Sequence, residues 1–250
     1  MVLLVDGNNL VNAAFYVAQA KSDETNTEEV CEKTVNIFKS QIGKLQNDFS
    51  PSKIYIAWDG RNGAKWRKEV LPEYKGGRNK EGKEKLFEAL DICREIDYHN
   101  NFYHEDYEAD DIIYALCRAM RGEKTIISAD KDFIQVVQEG LADKLFNPIT
   151  KQFRVIPEIC AVVNNSICGA DDNLKGVPNK GPAFVKKFIK GKVSLNEQEN
   201  EIFEKHKLVI GLANNPYKND ILKFVKSRLY SWHLFNNIVL FLYKELKWKT

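Results

Sequence analysis

The chain has few of the residues that form disulfide frameworks or zinc sites. It contains five cysteines and four histidines among 250 residues, and no two cysteines form a C-x-x-C pair. An odd number of scattered cysteines is not typical of a disulfide-rich secreted domain, and this spacing is not typical of a zinc site. We therefore expect reduced thiols and neither kind of framework.

Long apolar runs are also missing. The longest run near the C-terminus, residues 238–243, is far shorter than the roughly 20 apolar residues that span a bilayer. The N-terminus begins directly with Val2 to Asp6, without a basic stretch, a long apolar segment or a cleavage site, so no signal peptide is predicted. These absences predict a cytoplasmic protein with no membrane segment.

The net charge is small, at +2, but charges of opposite sign are separated along the chain. Six lysines and no acid lie between Lys175 and Lys192, whereas acids are concentrated between Glu105 and Asp111. Such separation suits a protein that binds a polyanion with basic patches and holds cations in an acidic pocket. Any single cluster could instead be a solvated helix face.

Short apolar runs alternate with amphipathic stretches, which predicts an α/β fold with a mainly parallel sheet. Strands are expected at Val2–Val5, Lys53–Ala57 and Thr125–Ser128, with a weaker one at Lys144–Phe146. Helices are expected after a capping box at Thr25–Glu28, over Lys83–Ile96 and over Ala109–Met120. After about Pro157 we expect only helical segments broken by Gly and Pro. We therefore predict an α/β domain over residues 1–155 and a helical module over residues 156–250.

Seven carboxylates follow predicted strands or begin a predicted helix: Asp6, Asp59, Glu108, Asp110, Asp111, Asp130 and Asp132. The carboxyl ends of parallel strands lie along one edge of a sheet, where such folds place their sites. Each acid alone could be a helix cap or a turn residue. A cluster of them needs a compensating cation, because like charges held together cost folding free energy. Oxygen ligands favour Mg²⁺ or Mn²⁺, and two such ions about 4 Å apart suit phosphodiester hydrolysis.

Five segments resemble, in order and approximate spacing, the motifs of the flap endonuclease and 5′ to 3′ exonuclease family, which includes bacteriophage 5′ nucleases and the 5′ nuclease domain of bacterial family A DNA polymerases. They are Val5–Asn9, Leu71–Arg78, Glu108–Asp111, Ser128–Asp132 and Gly176–Pro182. The resemblance covers roughly residues 1–190. It implies a PIN-like α/β domain, a helix-three-turn-helix hairpin in the C-terminal module, and the seven acids as metal ligands or their neighbours. It also implies two Mg²⁺ ions, which Mn²⁺ can replace, and a bacterial or phage-infected host cell.

The segment around Lys75 is expected to contact the attacked phosphate. The resemblance implies that Lys75 and Arg78 are catalytic cations at the base of a helical arch, and the ring of Tyr74 could stack on an unpaired base. The alternative is a basic loop that faces solvent. The arch segment that should follow, Asn79–Leu86, is short, which leaves open whether the arch closes around a 5′ single strand.

The predicted hairpin is expected to bind duplex phosphates without reading sequence, through glycine N–H groups and lysines. Its candidate residues are Gly176, Val177, Lys180, Gly181, Lys186 and Lys187. The alternative is an ordinary helix connection. The resemblance implies a monovalent cation, often K⁺, in this hairpin. Asn179 and Lys180 stand where the family usually has glycine and an apolar residue, so Lys180 could act in place of that cation.

The second metal position departs from the family pattern. Asp172 matches one of the two aspartates that usually precede the hairpin, but Gly169 occupies the position of the other, and Asp171 is an alternative ligand. We therefore expect weaker binding of the second ion, and a lower Mg²⁺ requirement after Gly169→Asp.

The implied function is a structure-dependent 5′ nuclease. It would act, as a monomer, on DNA with 5′ ends or 5′ flaps during replication or repair. Two alternatives remain open at this point: a PIN-type ribonuclease, which shares the acidic pocket, and a catalytically inactive protein that binds branched DNA.

Overall fold

The computed structural model describes residues 1–22, 27–77, 81–96, 100–170 and 174–230. Its centre is a six-stranded sheet in the order β3-β2-β1-β4-β5-β6, in which β1 to β5 are parallel and β6 is antiparallel to β5. The strands are β1 (Val2–Asp6), β2 (Lys53–Trp58), β3 (Asn100–Tyr103), β4 (Lys124–Ile127), β5 (Lys144–Asn147) and β6 (Gln152–Phe153). The predicted α/β fold is confirmed.

The four predicted strands are present, and each of their ends lies within one residue of the prediction. β3 was not predicted. It pairs with β2 and reads Asn-Asn-Phe-Tyr, and asparagine is depleted in strands, so its sequence gives a weak signal. The two-residue β6 is too short to form a pattern.

Helices cover both faces of the sheet. In chain order they are α1 (Gly7–Gln19), α2 (Glu28–Phe49), α3 (Lys65–Val70), α4 (Glu84–Glu95), α5 (Ala109–Ala119) and α6 (Ile134–Gln138). α2 begins after Thr27, whose hydroxyl accepts a hydrogen bond from the Val30 N–H. The predicted cap, Thr25, lies outside the described residues, whereas α4 and α5 lie within the predicted ranges.

The C-terminal region contains α7 (Ala161–Cys168), α8 (Pro182–Ile189) and α9 (Glu197–Ile210). Between α7 and α8 lies an antiparallel pair of two-residue strands, β7 (Gly169–Ala170) and β8 (Leu174–Lys175). The expectation of helices alone after residue 157 was therefore wrong. Strands of two residues are too short to show the alternation of apolar and polar residues by which a strand is predicted.

After α9 the chain returns to the α/β layer. Leu212, Ile221 and Val225 are buried in one apolar cluster with α5 and β4, on the face opposite the cluster formed by α1, α2 and α4. The division near residue 155 stays a prediction, since residues beyond it contribute to the core of the sheet. In the described part of the chain, no helix combines the length and apolarity required to cross a bilayer.

Candidate metal site and phosphate-binding surfaces

Asp6 lies at the carboxyl end of the central strand, where β1 meets α1. One carboxylate oxygen caps α1 by accepting a hydrogen bond from the Asn9 N–H at 3.0 Å, and the other accepts one from the Ser128 hydroxyl at 2.9 Å. Ser128 directly follows β4. Asp6 is therefore fixed next to the end of the neighbouring strand.

Two asparagines in the first turn of α1 hold the adjacent strand ends. The Asn8 side-chain oxygen accepts a hydrogen bond from the Asp59 N–H, and that of Asn9 accepts one from the Ala129 N–H, both at 2.9 Å. These bonds bring the residues after β2 and β4 to the position of Asp6. Asn8 and Asn9 belong to the first motif but were assigned no role, although two amides that follow a strand-ending aspartate after one glycine were a readable signal.

The electrostatics of Asp6 indicate that three acids lie close together. Burial, together with the negative charges of Asp59 and Asp130, raises the pKa of Asp6 from 3.8 to about 7. Groups of one sign shift each other in this way only at short range. Together with the hydrogen bonds from Asn8, Asn9 and Ser128, this shift indicates that the acids after β1, β2 and β4 lie at one edge of the sheet.

A second group of acids stands at the start of α5. Carboxylate oxygens of Glu108, Asp110 and Asp111 all lie within 4.8 Å of one another, a spacing that could hold a metal ion. Asp59 joins this group to Asp6, because its carboxylate accepts a hydrogen bond from the Ala109 N–H at 2.8 Å. Six of the seven predicted acids thus line one connected edge of the sheet, and Asp132 follows two residues after Asp130.

Arg67 on α3 binds two of these acids and was missed by the sequence analysis. Its side chain is 1% exposed, and its guanidinium donates to both oxygens of Asp111 at 2.8 Å each and to Oε2 of Glu108. One buried guanidinium therefore holds both Asp111 oxygens, whereas Oε1 of Glu108 faces the ammonium of Lys75, whose side chain is 15% exposed. Although Asp111 belongs to the geometric cluster, its contacts favour a role as the partner of Arg67 over that of a metal ligand.

The pKa values of the remaining two acids of this group are shifted in opposite directions. Burial favours the neutral form of Glu108, but the charges of Lys75 and Arg67 outweigh it, so the Glu108 pKa is lowered. Burial raises the Asp110 pKa well above its ordinary value, and Arg67 opposes this shift only partly. A divalent cation would favour the ionised form of Asp110, so the donor set at this edge fits a hard cation.

Lys75 and Tyr74 lie against the same acid. The Lys75 ammonium is 2.5 Å from Oε1 of Glu108, and its backbone has a φ of 53°, a left-handed conformation that is rare outside glycine and asparagine. The Tyr74 ring is 5% exposed and its hydroxyl donates to Glu108 at 3.3 Å. A buried ring offers no face to an unpaired base, so the expected stacking role of Tyr74 is not supported. Arg78 lies outside the described residues.

A cleft adjoins Asp130 and Asp132. Asp130 accepts a hydrogen bond from the Asp132 N–H at 2.8 Å, and the Asn165 side-chain amide donates to Asp132 at 3.4 Å. The cleft measures about 240 Å³ and is lined by Asp130, Lys131, Asp132, Asn164, Asn165, Gly169 and Ala170. Asp171 and Asp172 lie outside the described residues, and the two asparagines were not anticipated.

Gly169 has a backbone that only glycine adopts without strain. Its φ is 95°, and a Cβ at this position would lie 2.6 Å from the Leu174 carbonyl oxygen and 2.9 Å from the Gly176 nitrogen. This backbone opposes a side chain at position 169, so the lower Mg²⁺ requirement expected of Gly169→Asp stays a prediction that carries a cost in stability. The sequence showed a missing carboxylate, but it did not show that the ladder β7–β8 requires the absence of a side chain.

The predicted hairpin is compact. Val177 is buried and its N–H donates to the Ile167 carbonyl at 2.8 Å, while a Cβ on Gly176 would lie 2.2 Å from that carbonyl oxygen. Gly181 precedes α8. Asn179 has a φ of 59°, which fits the glycine usual at this position, because asparagine tolerates the left-handed conformation.

The lysines of the hairpin differ in their surroundings. Lys180 is 3.0 Å from Glu199 on α9, and its ammonium lies 4.7 Å from the centre of the Phe184 ring. In contrast, Lys186 and Lys187 are exposed in the last turn of α8. The exposed pair suits a phosphate backbone, whereas Lys180 is held by the protein itself.

This arrangement defines a class of protein. Phosphodiesterases that use hard divalent ions typically have carboxylates and a lysine at the carboxyl edge of a parallel sheet, and the carboxylate oxygens are the metal ligands. Residues 1–166 match the family described as the 5′-3′ exonuclease, N-terminal resolvase-like domain. Since this match covers well over half of the sequence, the chain belongs to the 5′-3′ exonuclease family, and the predicted family and enzyme class are confirmed.

Individual relatives agree with this assignment. The chain is 27% identical over 209 residues to the 5′-3′ exonuclease of Mycoplasmopsis pulmonis, covering 78% of this chain and 68% of that protein. It is 28% identical to the flap endonuclease Xni of Shewanella pealeana, covering 80% of each. It is 30% identical to DNA polymerase I of Bacillus subtilis over 76% of this chain, but spans only 23% of the length of that polymerase.

Solved structures support the fold. The T5 D15 protein co-crystallized with metal ions superposes with a TM-score of 0.71 at 19% identity, over 92% of this chain and 98% of that one. The bacteriophage T5 D15 flap endonuclease in a pseudo-enzyme-product complex with DNA and metal ions gives a TM-score of 0.70 at 20% identity, over the same shares. At this level of identity the similarity concerns the fold.

Proposed function

We propose that the chain hydrolyses DNA phosphodiesters near 5′ ends, as a 5′ to 3′ exonuclease and on 5′ flaps, in DNA replication or repair. The observation that supports this best is the convergence of Asp6, Asp59 and Asp130 beside the Glu108 group, within a member of the 5′-3′ exonuclease family. We place its action in the cytoplasm of a bacterial or phage-infected host cell, as a monomer.

We propose two Mg²⁺ ions, replaceable by Mn²⁺, as the cofactors. The residues that would hold them are Asp6, Asp59, Glu108, Asp110, Asp130, Asp132 and Asp172, with Asp111 acting behind Glu108 through Arg67. These donors are all oxygens, which fits a hard ion and not zinc. When bound, such ions supply an activated water and neutralise charge on the phosphate and the leaving oxygen.

The lysine that contacts Glu108 is the proposed catalytic cation. The side chain of Lys75 lies in the pocket at 15% exposure, where its charge faces the acids that border the phosphate position. A fixed ammonium stabilises the charge that develops on an attacked phosphate, and a dry surrounding strengthens this effect. By the family resemblance, Arg78 would provide a second cation of the same kind.

The hairpin and α8 are the proposed grip on duplex DNA. The exposed Lys186 and Lys187, with the backbone of Gly176 to Gly181, would contact phosphates without reading bases. Because Lys180 is paired with Glu199, we propose that it orders the hairpin from within. A K⁺ ion in the hairpin remains part of the proposal, and Lys180 is its alternative.

The decisive experiment compares three substrates at equal concentration: a 5′-flapped duplex labelled at either end, a recessed duplex, and single-stranded RNA. We expect Mg²⁺-dependent cleavage near the 5′ end of both DNAs and no cleavage in EDTA. Preferential cleavage of RNA would indicate a PIN-type ribonuclease, and tight DNA binding without any cleavage would indicate an inactive binder. The Asp59→Asn variant serves as the metal-site control, and analytical ultracentrifugation tests the expected monomer.

A further inference from the structure

Arg67 is a buried cation with one fixed orientation. Its guanidinium lies over two aromatic rings, 4.6 Å from the centre of the Trp66 ring and 5.8 Å from that of Tyr74. All three of its nitrogens donate hydrogen bonds to protein acceptors. A planar guanidinium whose three nitrogens all donate hydrogen bonds cannot turn without losing several of these charge-assisted bonds.

The third acceptor lies in a distant part of the chain. Nε of Arg67 donates to the carbonyl of Val209 at 3.0 Å, across 142 residues of sequence. Val209 stands in the last turn of α9, where carbonyl groups have no partner within the helix. Arg67 therefore joins the acids at the start of α5 to the end of a helix in the C-terminal region.

Gln135 also forms hydrogen bonds with the end of α9. It lies on α6, shortly after Asp132, and is 3% exposed. Its amide donates to the Ile210 carbonyl at 3.2 Å and accepts from the Leu212 N–H at 2.8 Å. Both Arg67 and Gln135 thus hold the end of α9, and in the described part of the chain Arg67 also donates to the carboxylates of Glu108 and Asp111.

We propose that Arg67 is a positioning residue for the nuclease reaction, which orients Glu108 and Asp111 and fixes them relative to α9. This inference rests on the proposed function, because it takes Glu108 to be a metal ligand. Arg67 and Tyr74 occupy Oε2 of Glu108, which directs Oε1 towards Lys75 and the pocket.

Loss of Arg67 should weaken metal binding more than DNA binding. Arg67 and Tyr74 already hold one oxygen of Glu108, so this carboxylate loses less conformational freedom when a metal ion displaces Lys75 from the other oxygen. Without Arg67, Glu108 and Asp111 would lose the donors that hold their oxygens and would be able to turn. The exposed lysines of α8, which we assign to DNA binding, would be unaffected.

The test measures Mn²⁺ binding by electron paramagnetic resonance in the absence of DNA, and steady-state cleavage of a 5′-flap duplex. Arg67→Lys keeps the charge but loses the fork, so we expect Mn²⁺ affinity and kcat each to fall about 10-fold or more, with KM for DNA within about threefold. Gln135→Leu is the matched control, because it loosens the same helix end without touching an acid. Its Mn²⁺ affinity should match that of the wild type at a comparable loss of thermal stability.

A second variant provides the test if Arg67→Lys does not fold. Arg67→Met combined with Asp111→Leu replaces a buried ion pair by apolar side chains, which proteins often tolerate. We expect the same loss of Mn²⁺ affinity, because Glu108 again lacks its guanidinium. Wild-type Mn²⁺ affinity in either folded variant, or an equal loss in Gln135→Leu, would overturn the positioning role. Failure of the wild-type protein to bind Mn²⁺ would instead contradict the proposed function.

Discussion

The carboxylates of the site look alike in the sequence, yet their surroundings in the structure differ. Asp6 is buried against other acids, Asp111 has both oxygens on Arg67, and Asp132 lies beside a cleft in contact with an asparagine amide. Residues of one type should therefore respond differently to the same substitution, and this difference can be measured.

Asp132→Asn should lower the rate of cleavage by about 100-fold or more while DNA binding is retained or becomes tighter. The substitution removes a proposed ligand, and it also removes a negative charge near the DNA phosphates. Single-turnover cleavage and binding in Ca²⁺ measure the two effects separately. Asp48→Asn, at an exposed position of α2, is the control. Near-normal turnover would remove Asp132 from the site.

Asp110→Asn and Asp111→Asn should have opposite effects. Asp110→Asn removes a carboxylate whose pKa is raised by burial, so the Mg²⁺ requirement should rise while stability is kept or increased. Asp111→Asn leaves Arg67 buried with one charge partner fewer, so stability should fall by about 3 kcal/mol. Urea unfolding in EDTA and Mg²⁺ titration of activity measure the pair. A larger Mg²⁺ effect for Asp111→Asn would make it the metal ligand.

Lys75→Ala should reduce kcat by about 100-fold or more and change KM for DNA much less, since a cation aimed at the attacked phosphate acts mainly in the transition state. The Lys75–Glu108 pair is also lost, so the thermal melting of the variant must be measured beside its kinetics. Lys68→Ala, exposed on α3, is the matched control. A variant that weakened only KM would make Lys75 a binding residue.

At the scale of elements, sequence periodicity predicted what depends on local patterns. Four strands, and the acids that follow three of them, were found, because apolar runs and strand-ending aspartates are visible in the sequence. Arg67 was not found, since its partners lie 41, 44 and 142 residues away and only the fold brings them together. β3 was not predicted because Asn100 and Asn101 are poor strand formers. Tyr74 was expected to be accessible to a base, because the sequence of a loop does not show which of its side chains are buried.

Gly169→Ala should destabilise the ladder β7–β8 and lower the free energy of unfolding by about 2 kcal/mol or more. The reason is the combination of a positive φ with carbonyl and amide groups closer than a Cβ can approach. Gly191→Ala is the control, because Gly191 also has a positive φ but no heavy atom within 4 Å of the added Cβ. Equal losses of stability in urea would show that φ alone matters and that the close approach relaxes.

On the scale of the whole molecule, the acidic edge makes stability depend on pH. The pKa of Asp6 is raised from 3.8 to about 7, so between these values the folded protein holds a proton that the unfolded chain has released. The stability from this proton is complete below about pH 4 and is lost as the pH rises through 7. The metal-free protein should therefore become less stable between pH 5 and pH 8.

Thermal unfolding in EDTA at pH 5, 6, 7 and 8 measures this slope. Mg²⁺ should raise the melting temperature more at pH 8 than at pH 5, because the ion binds the ionised carboxylates. Asp6→Asn preserves an N-cap for α1 and should flatten the slope while reducing the response to Mg²⁺. A melting temperature in EDTA that is constant from pH 5 to pH 8 would contradict the prediction.

The contact between Arg67 and the end of α9 has a consequence for biosynthesis. The residues up to Asp132 leave the ribosome long before Val209. Until Val209 has emerged, the Arg67 guanidinium cannot form its hydrogen bond to the Val209 carbonyl. Contacts between such distant residues form late in folding, because a long loop must close first. A nascent chain would therefore hold Glu108 and Asp111 with an Arg67 that is not yet fixed to α9. Glu108 and Asp111 should reach their final orientation only after the last turn of α9 has left the ribosome.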